Sequence, residues 1–402
     1  MKKILTMALC LCAVGAINAQ KAAVDQAAKL SGKINKIDEA RSLINQATSN
    51  PETSNQARTY YVGGKIEFDA FDEAFKKLAL NPNDESVNKL NMGEELVNGY
   101  NYFLRALPLD SLPNEKGQIK PKHSKDMINR INGHHADYYN FGGELFNNKK
   151  YYPEAYNAFM IYGDITRQPW ADKNVKAVPD SMVALAYHYA GIGAYSGNAL
   201  QDALTAFEKA RKAGITDPQN YVYEIACWQN MALRDSTLEN VAKTEIKNIA
   251  THGYKTFGIS NPLFINNLVN SMLQDKNYDE AIALIGNQIN ATPDKAFLYG
   301  LRGYVYDRKG DDTASVADYR KASSFNDADI ETLKNAAKKI YTAGSAIWNN
   351  IEGNNPAKRQ EVKTDYFEAA KAIAERAKTI EPNDPDVEYI LENINYALTT
   401  YF

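Results

Sequence analysis

Three cysteines are too few to staple a chain of 402 residues, and two of them, Cys10 and Cys12, share one short apolar run. Beyond residue 20 only Cys227 remains, so that part of the chain has no internal disulfide. Its neighbours Ile225, Ala226 and Trp228 mark it as a buried core thiol, not a reactive one. Neither sign of charge dominates. The 46 Lys and Arg are set against 49 Asp and Glu, spread along the chain, which excludes a basic nucleic-acid surface. No apolar run reaches the roughly 20 residues a membrane-spanning helix needs.

Catalytic constellations are equally scarce. Gly191-Ile-Gly193-Ala-Tyr-Ser196 almost spells a dinucleotide loop, but no strand precedes it and its glycines suit close helix packing. Ser86-Val-Asn-Lys89 begins a helix, where a serine caps. His134 and His135 are adjacent and point to different faces, whereas a helix-borne metal pair needs i, i+4 spacing. His123, His188 and His252 stand alone. The residues therefore predict no enzyme, no cofactor and no metal site.

The run that holds the two early cysteines reads as an address. Lys2 and Lys3 precede the apolar stretch Ile4 to Ile17, and Ile17-Asn18-Ala19 is a small-residue cleavage site before Gln20. A signal peptide over 1–19 is expected, with export to the periplasm. Cys12 lacks the small residue a lipoprotein box needs, so no lipid anchor is expected. Removing the two lysines moves the formal charge from −3 to −5.

What the chain does have is period. From Asn261 to Asp327, two helix–turn–helix units lie end to end, and Ala281 and Ser315 occupy the same slot 34 residues apart. Tyr299, Gly303, Tyr306, Gly310, Ser315, Tyr319 and Ala322 resemble the tetratricopeptide W-x2-LG-x2-Y … A-x3-F … P pattern, with Arg302 and Asp327 departing from it. The resemblance implies an all-α right-handed α-α superhelix, a solenoid in which each pair stacks on the next because one pair cannot bury its apolar stripe alone. About eight pairs and a C-terminal capping helix are expected, as one continuous domain over 20–402. The clearest repeats are 136–169, 184–217, 262–295 and 296–329.

In chain order, Val24 to Thr48 forms a first pair. Residues 54–68 and the stretch with Phe71, Ala74 and Leu78 form a second, since Ala40 and Ala74 are 34 apart. A long helix from Asp84 to about Leu107 then meets an inserted loop, 108–122, rich in Pro, Gly and Lys. The loop is expected to run back along a helix on Leu109, Leu112 and Ile119. A second long helix follows from Ser124 to about Asn148, whose end supplies Tyr139, Gly143 and Phe146 to a new unit.

The family resemblance implies function through its inner wall, which comes from the first helix of each pair. Counting from Tyr139 gives Asn140, Glu144 and Asn147. Counting from Tyr187 gives His188 and Tyr195. Counting from Ile265 gives Asn266, Asn270 and Gln274, and from Tyr299 gives Tyr304, Asp307 and Arg308. Carboxamides both donate and accept, so they suit a peptide backbone of any sequence. Tyrosines add contact area at low entropic cost. A periplasmic interaction module for an extended peptide or protein partner is the expectation, with no nucleic-acid partner. A glycan-capture accessory resembling the SusD family is the alternative. Ser111, Ser181, Ser236 and Thr313 each follow an Asp, which resembles the acceptor of an envelope O-glycosylation system.

Overall fold

The computed structural model describes residues 21–114, 116–353 and 355–402, so the expected signal peptide lies outside the described residues. Apart from one isolated bridge between Pro113 and Ile119, the described chain is helical. The chain divides into two compact units at Ala242 and Lys243.

In the first unit, a helix over 21–30 (α1) and α2 (Ile37–Ser49) bury Val24, Ala27, Ala40, Ile44 and Ala47 against each other. Then α3 (Ala57–Leu80) pairs with α4 (Lys89–Asp110), and α5 (Ser124–Gly133) and α6 (His135–Phe146) lead into α7 (Tyr152–Thr166). A single turn, α8 (Lys173–Lys176), precedes the pair α9 (Asp180–Ser196) and α10 (Leu200–Lys212), after which comes α11 (Gln219–Arg234). Cys227 of α11 is fully buried, and burial pushes its thiol up to about 12, far from thiolate chemistry at neutral pH.

The chain passes from the first unit to the second within α12 (Glu239–Phe257). The pairs α13 (Pro262–Gln274) with α14 (Tyr278–Ala291), and α15 (Ala296–Lys309) with α16 (Asp312–Ser323), follow. Then come α17 (Ile330–Asn349), α18 (Pro356–Val362), α19 (Ala369–Ile380) and the terminal α20 (Pro385–Tyr401). A π turn over Lys363–Glu368 joins α18 to α19. Val362 and Phe367 are five apart, and that turn lets both reach the core.

Sequential antiparallel pairs are thus the whole architecture, and one contact recurs inside them. The ring of Phe207 lies on Gly191, that of Tyr319 on Gly303, and that of Phe159 on Gly142, each leaving a Cβ too little room. A glycine on the first helix and an aromatic ring on the second set how closely the two backbones approach. The turn between them repeats as well. Asn198, Lys276 and Gly310 share the slot seven residues past Gly191, Val269 and Gly303, and all three adopt a left-handed backbone (φ 65°, 59° and 84°). Between pairs, the Tyr187 ring covers Gly163 and its hydroxyl donates to Asp164 at 2.7 Å. Arg302, which replaces the pattern's leucine, reaches across the pair to the buried carboxylate of Asp318 at 2.6 and 2.8 Å.

Several expectations are corrected. Residues 57–80 form one uninterrupted helix, not a pair, so the 34-residue step from Ala40 to Ala74 was coincidental. The expected helix over 124–148 breaks at His134, whose ring packs on Phe68 and Phe71. Helix α4 runs on through Pro108 to Asp110, because a proline in a last turn frees only one carbonyl. The loop does not run back along a helix: Leu112 and Ile119 are 60% and 62% exposed. Instead Asn114 closes a small turn with Lys116, Gly117 and Gln118, and Asp110 ties the ends by accepting from the backbone of Lys122, His123 and Ser124.

The register of the 136–169 repeat also moves by one. Gly142, not Gly143, meets Phe159, because the turn through Asn147–Tyr151 carries one residue more than its counterparts. Nothing lies within 4 Å of a Cβ added at Gly143. Leucine at position 142 is therefore expected to cost about 3 kcal/mol through overpacking, and leucine at 143 to stay within about 1 kcal/mol of wild type. Urea unfolding of Gly142→Leu and Gly143→Leu measures both, and the reverse order would return the register to Gly143.

Candidate functional site

The one-residue shift puts Tyr138 in the buried slot and turns Tyr139 outward into a cleft of about 310 Å³. Asn140, Gly143 and Glu144 of α6, with Asn147 just past its end, form one wall, and Tyr189 of α9 stands opposite over Phe159. The rings form a continuous floor, with Tyr139 and Phe159 at 5.5 Å and Phe159 and Tyr189 at 5.7 Å between centroids. Burial raises the Tyr139 hydroxyl above its ordinary pKa, so it remains a donor. Asn140 and Asn147 are exposed, and Glu144 meets only the half-exposed Lys89, at 3.8 Å. A pair of that kind contributes little and is readily exchanged for a ligand.

The three residues counted from Tyr139 are thus brought together, along with Tyr189, which the count did not reach. His188 is not on this surface. It is buried in α9, where its Nδ1 lies 3.2 Å from Asn220 Oδ1, and Asn220 Nδ2 donates to the Phe207 carbonyl at 3.0 Å. The expected ligand group is a satisfied core histidine. Tyr195 is half buried, its ring 5.3 Å from that of Tyr223 and its hydroxyl 3.4 Å from the Asn230 amide.

In the second unit, Asn270 and Gln274 are exposed and Asn266 half exposed, in a row along α13. Tyr304, Asp307 and Arg308 are exposed on α15, but Asp307 is engaged by Lys339 of α17, which also holds Asp312. A cleft of about 390 Å³ lies between α17 and α20, where Asn335, Lys338 and Tyr341 oppose Tyr389 and Asn393. Lys334 at its edge is consumed by Glu331 at 2.6 Å and Asp384 at 3.2 Å. One more step of 34 from Tyr299 reaches Leu333, and the same count gives Lys334 and Lys338. The missing aromatic in that slot hid the cleft from the sequence.

Ser111, Ser181, Ser236 and Thr313 are all exposed. Two of the preceding aspartates cap helical turns: Asp110 accepts from the backbone N–H of Ser124, and Asp235 from that of Thr237. Among the described residues no group of His, Cys, Asp and Glu is arranged to hold a metal ion, and no helix is long and apolar enough to cross a membrane.

No family model matches the chain, and no curated protein matches its sequence. Solved helical-repeat structures overlap it. A thermophilic TPR protein of Thermus thermophilus is 16% identical over 53% of this chain and 98% of its own, with a TM-score of 0.32. Yeast Tom70 is 12% identical over 95% and 89%, with a TM-score of 0.32. The TPR2AB domain of yeast Sti1, in complex with pHSP90, is 11% identical over 83% and 98%, with a TM-score of 0.22. The packing described above is what defines the class, an all-α array of antiparallel helical pairs that is tetratricopeptide-like in its glycine-to-ring contacts.

Core and surface amides are separable by mutation. Asn220→Ala removes the buried bonds to the His188 ring nitrogen and the Phe207 carbonyl and is expected to cost about 2 kcal/mol. Asn140→Ala, Asn266→Ala and Asn270→Ala are each expected within about 0.5 kcal/mol of wild type. Chemical denaturation of the four variants checks this, and a neutral Asn220→Ala would remove His188 from the core account.

Proposed function

We propose that this protein is a non-catalytic binding scaffold that holds an extended polypeptide along the first helices of its pairs. The observation that carries the reading is the wall of the α6–α9 cleft. Asn140 and Asn147 stand exposed beside Tyr139 and Tyr189, with no bond from either carboxamide to another described side chain. Free carboxamides pair with a peptide backbone whatever its side chains, and tyrosine faces give contact area at little entropic cost. The cell envelope is the proposed location, supported by the basic, apolar and small-residue order of 1–19.

Fluorescent 12-residue peptides of varied sequence, titrated against the purified protein, test the reading. Several unrelated peptides are expected to bind, and Asn140→Ala/Asn147→Ala/Tyr189→Ala is expected to weaken them about tenfold, or 1.4 kcal/mol, while Asn140→Ala/Asn147→Ala alone leaves Tm unchanged. Binding that survives the triple change, or no binding at all, contradicts it. N-terminal sequencing of envelope protein, expected to begin at Gln20, tests the location.

A further inference from the structure

A cleft of about 690 Å³, larger than either described above, opens between two second helices. Its walls are the second helices α2 and α4, and α3 forms its floor. Along α4, Asn91, Asn98, Asn101 and Arg105 recur at helical spacing on one face, a row of about 21 Å. All four are exposed, and the three carboxamides make no hydrogen bond to another described residue.

The floor is unusual for a helical core. Arg41 grips buried Glu67 with three bonds, at 3.0, 3.2 and 2.6 Å, and also donates to Glu95 Oε1 at 3.1 Å. That leaves Glu95 Oε2 buried and without a partner. The Tyr60 hydroxyl is in the same state on a side chain only 1% exposed, with Arg105 over its ring at 4.6 Å. Both atoms are closed to solvent, so they mark a polar base beneath the cleft, and ligand contact falls to the exposed groups of its walls. Burial pushes the Glu95 carboxyl up to about 6, against the pull of Arg41.

The lining selects among ligands. No aliphatic side chain faces the cleft except the methyl of Thr48, so apolar peptide side chains would find no pocket. Two guanidinium groups face three carboxylates, so the cleft has no positive excess for a polyanion. A ligand rich in hydroxyls suits all of it. Hydroxyls donate to the half-buried Glu94 and accept from the amides and Arg105, and the sugar's ring faces stack on Tyr102. We infer that the α2–α4 cleft is a second binding site, distinct from the first-helix clefts, for a neutral oligosaccharide.

Isothermal titration of the purified protein with maltohexaose, cellohexaose, xylohexaose and mannohexaose tests this. At least one is expected to bind with a Kd of about 1 mM or tighter, and Asn98→Ala/Asn101→Ala to weaken it about tenfold. Both residues are exposed, so Tm should not move, and Asn140→Ala/Asn147→Ala in the other cleft should bind the sugar as wild type does. No binding to any of the four sugars overturns the assignment. Binding undiminished by the double change overturns it too, as does a protein that takes hexalysine but no sugar.

Discussion

A ring lying on a glycine is the contact that the rest of the structure depends on. Gly191 under Phe207, Gly303 under Tyr319 and Gly142 under Phe159 bring the two helices of a pair into close contact. Close approach turns one face of each helix inward and commits the other to solvent. Burial of the inward faces supplies the apolar stabilisation, at roughly 25 cal/mol per Å² removed from water. The outward faces are then free of packing duties. That freedom is why rows of asparagine and tyrosine can stand exposed on α6, α13 and α4 without unfolding anything.

The sequence was legible where the slots are filled by the residues that make this contact. Residues 184–217 and 296–329 have the glycine, the aromatic ring and the left-handed turn at fixed offsets, residues 262–295 hold Val269 and Ile285 in the first two slots with the same turn, and the helices there fall where the period put them. It was misread where spacing alone stood in for contact. Ala40 and Ala74 are 34 apart, yet α3 runs through Phe68 and Phe71 unbroken, because only Asp69 and Ala70 stand between them and neither glycine nor proline breaks the helix there. The extra residue before Tyr152 shifted one repeat by a single position. That shift moved Tyr139 from core to cleft while leaving Asn140, Glu144 and Asn147 exposed.

The polar clefts were less legible than the fold, for a physical reason. A cleft is made by residues from neighbouring helices, and local period says which face a residue takes but not what stands opposite. Tyr189 faces Tyr139 across 50 residues of chain, and Arg41 meets Glu95 across 54. His188 failed in the opposite direction. Its position in the count was right, but Asn220 from α11, two helices on, closes over it.

The pivotal contact can be measured by a double-mutant cycle on Gly191 and Phe207. Gly191→Ala forces a methyl against the ring, and Phe207→Leu removes that ring. If the glycine-to-ring contact sets the helix spacing, Gly191→Ala will be clearly destabilising alone and much less so in the Phe207→Leu background. The expected coupling is about 1 kcal/mol or more by urea unfolding. Additive costs, within about 0.5 kcal/mol, would mean that the ring does not set the spacing and would contradict the account.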